Sequence, residues 1–161
     1  MKLRKLEPED VVFLYQWEND ANAWPDGAVH NPVSQQDLRD YIASTTGDIY
    51  RDGQLRLMMD ADGCTVGCID LFDLDVRNRK AAIGMYIAPE HRGKGYGQQA
   101  VAQLEELSFQ HLGLDMIYAI ISEQNEACNK LYNRMNFEKT ARLLRWTVEG
   151  DAMLWQKFKM L

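Results

Sequence analysis

The sequence lacks the features that mark membrane-spanning, disulfide-stabilised and nucleic-acid-binding proteins. It has no apolar run near the roughly 20 residues that cross a bilayer, and only 3 cysteines, an odd number that we expect to remain free thiols. Lysine and arginine number 18 against 24 acidic residues. The net charge of -6 disfavours broad binding to nucleic acids or anionic membranes. We therefore expect a soluble cytoplasmic protein that acts on neutral or cationic partners.

The 161 residues suit one domain, because a chain of this length can bury about 70% of its unfolded surface and this one shows no repeat or linker. Apolar periodicity and turn residues predict an α/β protein whose three central strands form an antiparallel meander. The predicted strands cover residues 2–6, 55–59, 64–74, 80–87, 116–121, 139–148 and 153–159, and the predicted helices cover residues 8–19, 34–43, 95–112 and 126–135.

A glycine-rich loop follows the third of these central strands. Residues 92–97 read RGKGYG, and they open a segment with helical periodicity. Alternating glycines let the backbone approach a ligand and turn N–H groups toward it, and a helix start adds positive potential. His91, Arg92 and Lys94 supply side-chain charge. The loop therefore predicts a site for a pyrophosphate group.

Two common phosphate motifs do not fit this loop. A dinucleotide-binding loop needs a third glycine where this chain has Gln98, and a P-loop needs Ser or Thr where this chain has Gly95. A metal site is not expected either, because His30, His91 and His111 share no ligand spacing with each other or with a cysteine. These mismatches leave a different diphosphate ligand.

A second motif lies downstream, and with the loop it resembles the GCN5-related N-acetyltransferases (GNAT), a family that uses acetyl-CoA. Residues 125–137 read NEACNKLYNRMNF and match the family's later helix with its tyrosine. Arg92, Gly95 and Gly97 match its phosphate-loop pattern of Arg or Gln, two residues, Gly, one residue, and Gly or Ala. The resemblance covers almost the whole chain and is strong from about residue 64 onward. It is greatest to the branch of spermidine acetyltransferases and ribosomal-protein N-terminal acetylases.

The resemblance implies an acyl-CoA N-acyltransferase fold, with a twisted, mixed and mostly antiparallel sheet flanked by helices. It also implies that acetyl-CoA binds where the strand around Met85 parts from the strand around Ile120. Asn125 suits a helix N-cap as well as a cofactor contact, and the two roles are compatible. Together, the loop and the resemblance assign contacts with acetyl-CoA to Met85, Tyr86, Ile87, Arg92, Gly93, Lys94, Gly95, Tyr96, Gly97, Gln98, Asn125, Asn129 and Arg134.

The expected chemistry begins with an amine that must lose its proton, since only the neutral form attacks a thioester. Holding a lysine-like amine neutral at pH 7 costs about 4.6 kcal/mol. Attack places negative charge on the carbonyl oxygen, which backbone N–H groups near Met85 and Ile87 can stabilise. Tyr132 is the expected catalytic proton donor to the departing thiolate. A core tyrosine with a satisfied hydroxyl is the alternative interpretation.

Two positions depart from the family pattern. Asn136 stands where the family often has glycine, and asparagine tolerates left-handed backbone angles better than most residues. Ala82 stands where relatives often carry a glutamate that acts as a base. The base is therefore left open between water relayed to backbone carbonyls, an acid from Asp70 or Asp73, and Glu123.

The acceptor is less constrained than the acetyl donor. A polyamine or another small cationic amine is favoured, with a protein N-terminal amine as the alternative and a non-catalytic CoA-binding regulatory module as an alternative of another class. The aromatic C-terminal hairpin around Trp146 and Trp155 is compatible with a homodimer or a higher homo-oligomer. Candidate acceptor-site residues are Trp24 and Asp26, in a loop over residues 21–32, and Asp73, at an acidic position that polyamine-handling relatives use.

Overall fold

The computed structural model describes residues 1–20 and 32–160 of the chain. Its strands are β1 (Lys2–Lys5), β2 (Leu55–Ala61), β3 (Cys64–Asp75), β4 (Lys80–Ile87), β5 (Met116–Ser122), β6 (Glu138–Thr147) and β7 (Gly150–Phe158). Its helices are α1 (Val11–Asn19), α2 (Gln35–Ser44), α3 (Ile49–Asp52), α4 (Tyr96–Glu106) and α5 (Glu126–Arg134), with 3-10 turns at Pro8–Asp10 and Pro89–His91 and a π-helical turn at Leu107–His111. Among these described residues, no helix is long and apolar enough to cross a membrane.

The strands form one sheet in the order β1-β2-β3-β4-β5-β7-β6. Neighbouring strands are antiparallel except for β4 and β5, which run parallel. The predicted meander corresponds to β2, β3 and β4, and the predicted C-terminal hairpin corresponds to β6 and β7. The mixed, mostly antiparallel sheet flanked by helices confirms the fold that the resemblance implies.

The short helix α3 is missing from the sequence-based prediction. Asp48 caps it by accepting a hydrogen bond from the backbone N–H of Tyr50 (2.9 Å), and Gly53 ends it with a left-handed φ of 74°. Four residues are too few to show helical periodicity, so only the cap and the glycine mark this helix in the sequence. The other predicted helices and strands are present, with ends that differ by a few residues.

Side chains alternate across the sheet and contribute to two separate cores. The face covered by α4 and α5, called here the α4 face, packs Ile83 of β4 with Leu104 of α4. The face covered by α1 and α2, called here the α1 face, packs Tyr86 of β4 with Leu14 and Ile42. The strand β4 therefore presents side chains to both layers, and a ligand beside it can be reached from either face.

Candidate active site

The parallel strands β4 and β5 part after a short paired region. Their register runs from Lys80 opposite Met116 to Ala82 opposite Tyr118. Beyond that point β4 stays paired with β3, and β5 stays paired with β7, so the two strands turn away from each other. The backbone N–H and C=O groups that face this opening are available to a ligand lying between the strands. The predicted parting of the strands around Met85 is confirmed, and we call the opening the β4–β5 cleft.

The glycine-rich loop beside this cleft has the backbone conformation that an anion site needs. Gly93 and Gly95 have left-handed φ angles of 74° and 81°. Residues with a side chain adopt such angles at a cost of about 1–2 kcal/mol. The helix α4 begins at Tyr96, and Gly95 at its N-cap position has no side chain to satisfy the first N–H groups. These N–H groups and the helix dipole therefore favour an anionic ligand.

Arg92 ties the loop to the end of β4. Its Nε–H donates to the carbonyl oxygen of Ile87 (2.8 Å), and its guanidinium lies 5.9 Å from the centroid of the Tyr86 ring. The side chain is otherwise exposed. Because the hydrogen bond uses Nε, the terminal nitrogens of Arg92 remain suited to bind an anionic group in the loop.

Gly97 brings β4, α4 and α5 together beside the loop. It is buried, and a Cβ atom added there would lie 3.2 Å from Leu131, 3.3 Å from Met85 and 3.5 Å from Ile87. A larger side chain would therefore push against α5 and against the strand that lines the cleft. Met85 and Ile87 face this packed side, whereas Tyr86 between them packs on the α1 face.

Asn125 and Asn129 hold α5 in place. Asn125 accepts a hydrogen bond from the backbone N–H of Cys128 (3.1 Å), so its predicted capping role is confirmed. Asn129 donates to the carbonyl oxygens of Ser122 and Asn125 (2.9 Å each) and accepts from the indole N–H of Trp155 (2.9 Å). Both amide hydrogens of Asn129 are thus used within the protein. These contacts fix α5 against β5 and β7, and the contact of Asn129 with acetyl-CoA stays a prediction.

Tyr132 lies deep in the core on the α4 face. It is 2% exposed, and its ring meets that of Phe137 nearly edge-on, with centroids 4.9 Å apart. Burial, with a smaller contribution from Cys128, raises the pKa of the Tyr132 hydroxyl, so that the proton stays on its oxygen at neutral pH. This packing fits the structural interpretation of Tyr132, and its role as a proton donor stays a prediction.

Asn136 lies two residues after the end of α5 at Arg134. It has the left-handed backbone that the sequence predicts. Its φ is 58°. Its backbone N–H donates to the carbonyl oxygen of Asn133 (3.1 Å), and the next N–H, from Phe137, donates to that of Tyr132 (3.0 Å). Asparagine therefore serves where the family often has glycine.

The remaining predicted cofactor residues lie in the loop and at the end of α5. Lys94 and Gln98 are exposed. The Tyr96 hydroxyl donates to Asp62 (2.7 Å), which raises the pKa of that hydroxyl and ties the loop to the turn between β2 and β3. Arg134 is exposed in the last turn of α5, about 12 Å along the axis from the start of that helix. Contacts of Lys94, Gln98 and Arg134 with acetyl-CoA stay predictions.

Asp73 sits at an irregularity in β3. The register with β4 shifts between Phe72 and Asp75, and Asp73 is exposed with a left-handed φ of 49°. A bulge therefore separates Asp73 from the regular alternation that Asp70 follows. Burial raises the pKa of Tyr118, and the charges of Asp73 and Asp75 add to this rise. Asp73 thus lies near Tyr118, where the paired part of β4 and β5 ends.

A charge cluster on the α1 face has no counterpart in the sequence-based prediction. The Arg56 guanidinium binds Asp70 through two hydrogen bonds (2.9 and 2.8 Å) and Glu18 through a third (2.9 Å). Two carboxylates and one guanidinium give this cluster a formal charge of minus one. Desolvation opposes the charged form of Arg56, but the contacts with Asp70 and Glu18 outweigh it and raise the pKa of the guanidinium.

The other acceptor-site and base candidates have different surroundings. Trp24 and Asp26 lie outside the described residues. Glu123 binds Arg142 through hydrogen bonds to both of its oxygens (2.9 and 3.0 Å), as a structural ion pair would. No group of three His, Cys, Asp or Glu side chains in the described ranges is placed to hold a metal ion, and the expected absence of a metal stays a prediction.

Comparisons with known proteins find acetyltransferases by sequence and by structure. Residues 1–138 match a family model for the acetyltransferase (GNAT) domain. The spermidine N(1)-acetyltransferase of Escherichia coli K12 is 28% identical over 156 residues, covering 95% of this chain and 76% of the relative. The putative ribosomal N-acetyltransferase YdaF of Bacillus subtilis is 31% identical over 140 residues, covering 84% and 76%. A crystal structure of spermidine N-acetyltransferase from Vibrio cholerae with CoA and spermine superposes with a TM-score of 0.85 at 24% identity, covering 98% of this chain and 94% of that one.

Proposed function

This chain belongs to the GNAT acetyltransferase family, and on that premise we propose that it moves the acetyl group of acetyl-CoA directly to a primary amine, with a polyamine or another small cationic amine as the favoured acceptor. The observation that carries the proposal is the position of the glycine-rich loop beside the β4–β5 cleft. The loop offers N–H groups to a diphosphate, and the cleft offers strand edges to an amide-containing arm. CoA contains both groups.

The residues present fit acetyl-CoA as a co-substrate. Arg92, Lys94 and the N–H groups at the start of α4 would hold the diphosphate, because they combine side-chain charge with a left-handed glycine backbone. The edge of β4 at Met85 and Ile87 would pair with the amide groups of the pantetheine arm. Acetyl-CoA supplies the activated acyl group. Because α4 and α5 cover one side of the cleft, we propose that the amine approaches from the α1 face.

The chain supplies two groups for the transfer itself. Backbone N–H groups of β4 near Met85 are proposed to stabilise the charge that develops on the carbonyl oxygen. Tyr132 is proposed to donate a hydrogen bond toward the sulfur as CoA leaves, which requires its hydroxyl to be protonated. Burial favours that state by raising its pKa. The hydroxyl is a weaker acid than an ordinary thiol, whose pKa is about 8.5, so it would share its proton rather than surrender it.

Acidic groups near the cleft support a cationic acceptor. Asp73 is exposed near the end of the paired part of β4 and β5, and Glu18 and Asp70 outweigh Arg56 on the same face as Tyr86. Several relatives are named spermidine N(1)-acetyltransferase, and these names also favour a cationic acceptor. The name of the 31% identical relative favours the alternative, acetylation of a protein N-terminal amine.

The alternative of another class is a regulatory module that binds CoA without turnover. Ala82 is buried, with 4% of its surface exposed. It occupies the position where relatives often carry a basic catalyst, a glutamate, and its own side chain cannot accept a proton. The candidates for this role stay relayed water, Asp70, Asp73 and Glu123; of these, Asp70 is bound by Arg56 and Glu123 by Arg142. Turnover measurements separate the enzyme from the binding module.

Exposed apolar side chains on the edge strand β6 and in the turn that follows it support the proposal of a homodimer or a higher homo-oligomer. Leu144, Trp146 and Val148 are 71%, 59% and 79% exposed. Trp155 of the predicted hairpin surface is 5% exposed and packs in the core, so of the two predicted tryptophans only Trp146 is available to a second copy. Light scattering on the wild type and on Trp146→Ser tests this assembly.

The proposed activity is tested by thiol release from acetyl-CoA across a panel of amines. The panel contains spermidine, butylamine, a peptide with a free N terminus and the same peptide with a blocked N terminus and no lysine. Release with spermidine above the blocked peptide supports the favoured acceptor, and release with the free peptide alone supports the alternative. If acetyl-CoA raises the melting temperature while every amine fails to release thiol, the enzyme proposal is wrong and the binding module stands.

A further inference from the structure

Tyr118 stands at the mouth of the β4–β5 cleft. It is the last residue of β5 that pairs with β4, where it lies opposite Ala82. Its neighbours Ile117 and Ala119 are fully buried in the core on the α4 face, so the Tyr118 side chain points to the α1 face. This is the face from which the amine is proposed to approach.

The half-buried hydroxyl of Tyr118 is available to a ligand. Within residues 1–20 and 32–160, no group forms a hydrogen bond with it. Gln156, its neighbour in β7, donates instead to the sulfur of Met116 (2.9 Å). The hydroxyls of Tyr50 and Tyr96, by contrast, donate to Leu112 and Asp62. Because a half-buried tyrosine usually brings its hydroxyl to a polar partner, a bound ligand is the partner that Tyr118 lacks.

Asp73 and Asp75 give this place a negative potential. Burial raises the pKa of Tyr118, and the charges of both carboxylates add to the rise. Asp75 is partly compensated, because Lys80 lies 3.9 Å away and Asn78 donates two hydrogen bonds to it. Asp73 is exposed and forms no ion pair with any of the described residues. An uncompensated carboxylate near an available phenol oxygen suits a cation that donates hydrogen bonds.

The surface around Tyr118 is open to an alkyl chain. Ile120, the next residue of β5 on this face, is 36% exposed and lies beyond the last residue that pairs with β4. Phe72 of β3 lies opposite Ala82 from the other side and is 37% exposed. Apolar surface therefore reaches solvent on both sides of the point where the strands part.

Tyr118 is set back from the place where the acetyl group is expected. Ala82, beside it, precedes Met85 by three residues, which is about 10 Å along an extended strand. A nitrogen held by Tyr118 is therefore not the one that attacks the thioester near Met85. The attacking nitrogen must be neutral, whereas a second nitrogen of the same molecule keeps its proton and its charge at pH 7.

We propose that Tyr118 is a specificity-determining residue that holds a second, positively charged nitrogen of the acceptor. Its hydroxyl oxygen accepts a hydrogen bond from this ammonium group, Asp73 attracts the charge, and the alkyl chain lies along Ile120. The site therefore selects diamines and polyamines over monoamines. This inference rests on the proposed function, because it takes the acceptor to be an amine that approaches from the α1 face.

The first test removes the hydroxyl and keeps the ring. In Tyr118→Phe, the ratio of kcat/KM for spermidine to that for butylamine, which has one nitrogen, is expected to fall by about tenfold or more. The KM for acetyl-CoA is expected to stay within about twofold. Tyr41→Phe is the matched control, because Tyr41 is also half-buried and its hydroxyl accepts a hydrogen bond from Gln54 (3.5 Å). That control is expected to leave the ratio unchanged.

The second test asks whether Tyr118 and Asp73 hold the same nitrogen. Asp73→Asn is also expected to weaken spermidine binding, and added salt is expected to reduce its effect more than that of Tyr118→Phe. The double variant is expected to lose less affinity than the product of the two single effects, because both groups bind one ammonium. Independent effects overturn the sharing of one nitrogen.

Calorimetric titration of spermidine into the protein saturated with CoA gives a readout that does not need turnover. Weaker binding by Tyr118→Phe than by wild type and Tyr41→Phe supports the inference even if no amine is acetylated and the proposed function fails. Equal spermidine affinities for wild type and Tyr118→Phe overturn it, even if spermidine is acetylated. Absence of spermidine binding to the wild type also overturns it.

Discussion

The Nε atom of Arg92 donates a hydrogen bond to the carbonyl oxygen of Ile87 across 2.8 Å, and this contact ties the glycine-rich loop to the last residue of β4. Ile87 also faces Gly97 at the start of α4. The proposed diphosphate site and the proposed pantetheine edge are therefore held in a fixed relation by one side chain. Its removal is expected to affect the ligand and not the core.

Arg92→Ala is expected to weaken the affinity for CoA by about tenfold or more, because a charge-assisted contact with the diphosphate is lost. Calorimetric titration at low ionic strength measures the effect, and added salt is expected to reduce the difference from wild type. Arg39→Ala, at an exposed position of α2, is the control for the change in net charge. Equal CoA affinities for wild type and Arg92→Ala would remove Arg92 from the phosphate site.

Gly95→Ala is expected to weaken CoA binding because it disfavours the left-handed backbone of the loop by about 1 kcal/mol or more. Gly53→Ala is a matched control, since Gly53 has a similar φ (74° against 81°) and neither glycine has an atom within 4 Å of an added Cβ. Both variants are expected to lose similar stability in urea unfolding. If they also bind CoA equally well, the loop conformation does not serve the ligand.

Tyr132→Phe is expected to lower kcat by about tenfold to a hundredfold while the CoA affinity and the melting temperature stay close to wild type. The ring contact with Phe137 is retained in this variant, so packing is preserved. Single-turnover measurements with saturating acetyl-CoA separate the chemical step from product release. An unchanged rate of that step would assign Tyr132 to the core alone.

Alkaline stability tests the buried environment on the α1 face. Burial raises the pKa of the Cys68 thiol from an ordinary 9.0 to about 12. Because the folded pKa is the higher one, the thiol's contribution to stability is complete below pH 9 and is lost as the pH rises toward 12. The free energy of unfolding is therefore expected to fall more steeply above pH 9 in wild type than in Cys68→Ala. If the free energies of unfolding of wild type and Cys68→Ala, measured in urea, change in parallel with pH, the burial of the Cys68 thiol is contradicted.

The features that the sequence predicts correctly are mostly local. The predicted bounds of β4 agree with its observed bounds, Lys80–Ile87, because an apolar run lies between a polar turn and a proline. The glycine loop and the Asn125 cap also depend on neighbouring residues. The cluster around Arg56 joins residues 14 and 38 positions away, which no periodicity reports.

Two features of the site depend on tertiary contacts that the sequence does not report. Asn129 lies in the motif of the predicted cofactor-binding helix, and its amide binds Ser122, Asn125 and Trp155, residues that periodicity does not identify as its partners. The bidentate contact of Arg56 with Asp70 follows from the register that places these residues opposite each other in β2 and β3, and the sequence alone does not fix a register between strands. Side-chain partners across the sheet are therefore the part of the site that required the structure.

The most direct test of the central claim is the product of a reaction with acetyl-CoA and spermidine, analysed by mass spectrometry together with thiol release. The account predicts spermidine carrying one acetyl group, in amounts equal to the CoA released. It also predicts product formation about tenfold or more slower for Arg92→Ala at acetyl-CoA concentrations far below the dissociation constant. Thiol release without an acetylated amine, or no release with spermidine and with the free N-terminal peptide, would contradict the claim that this chain is an amine acetyltransferase.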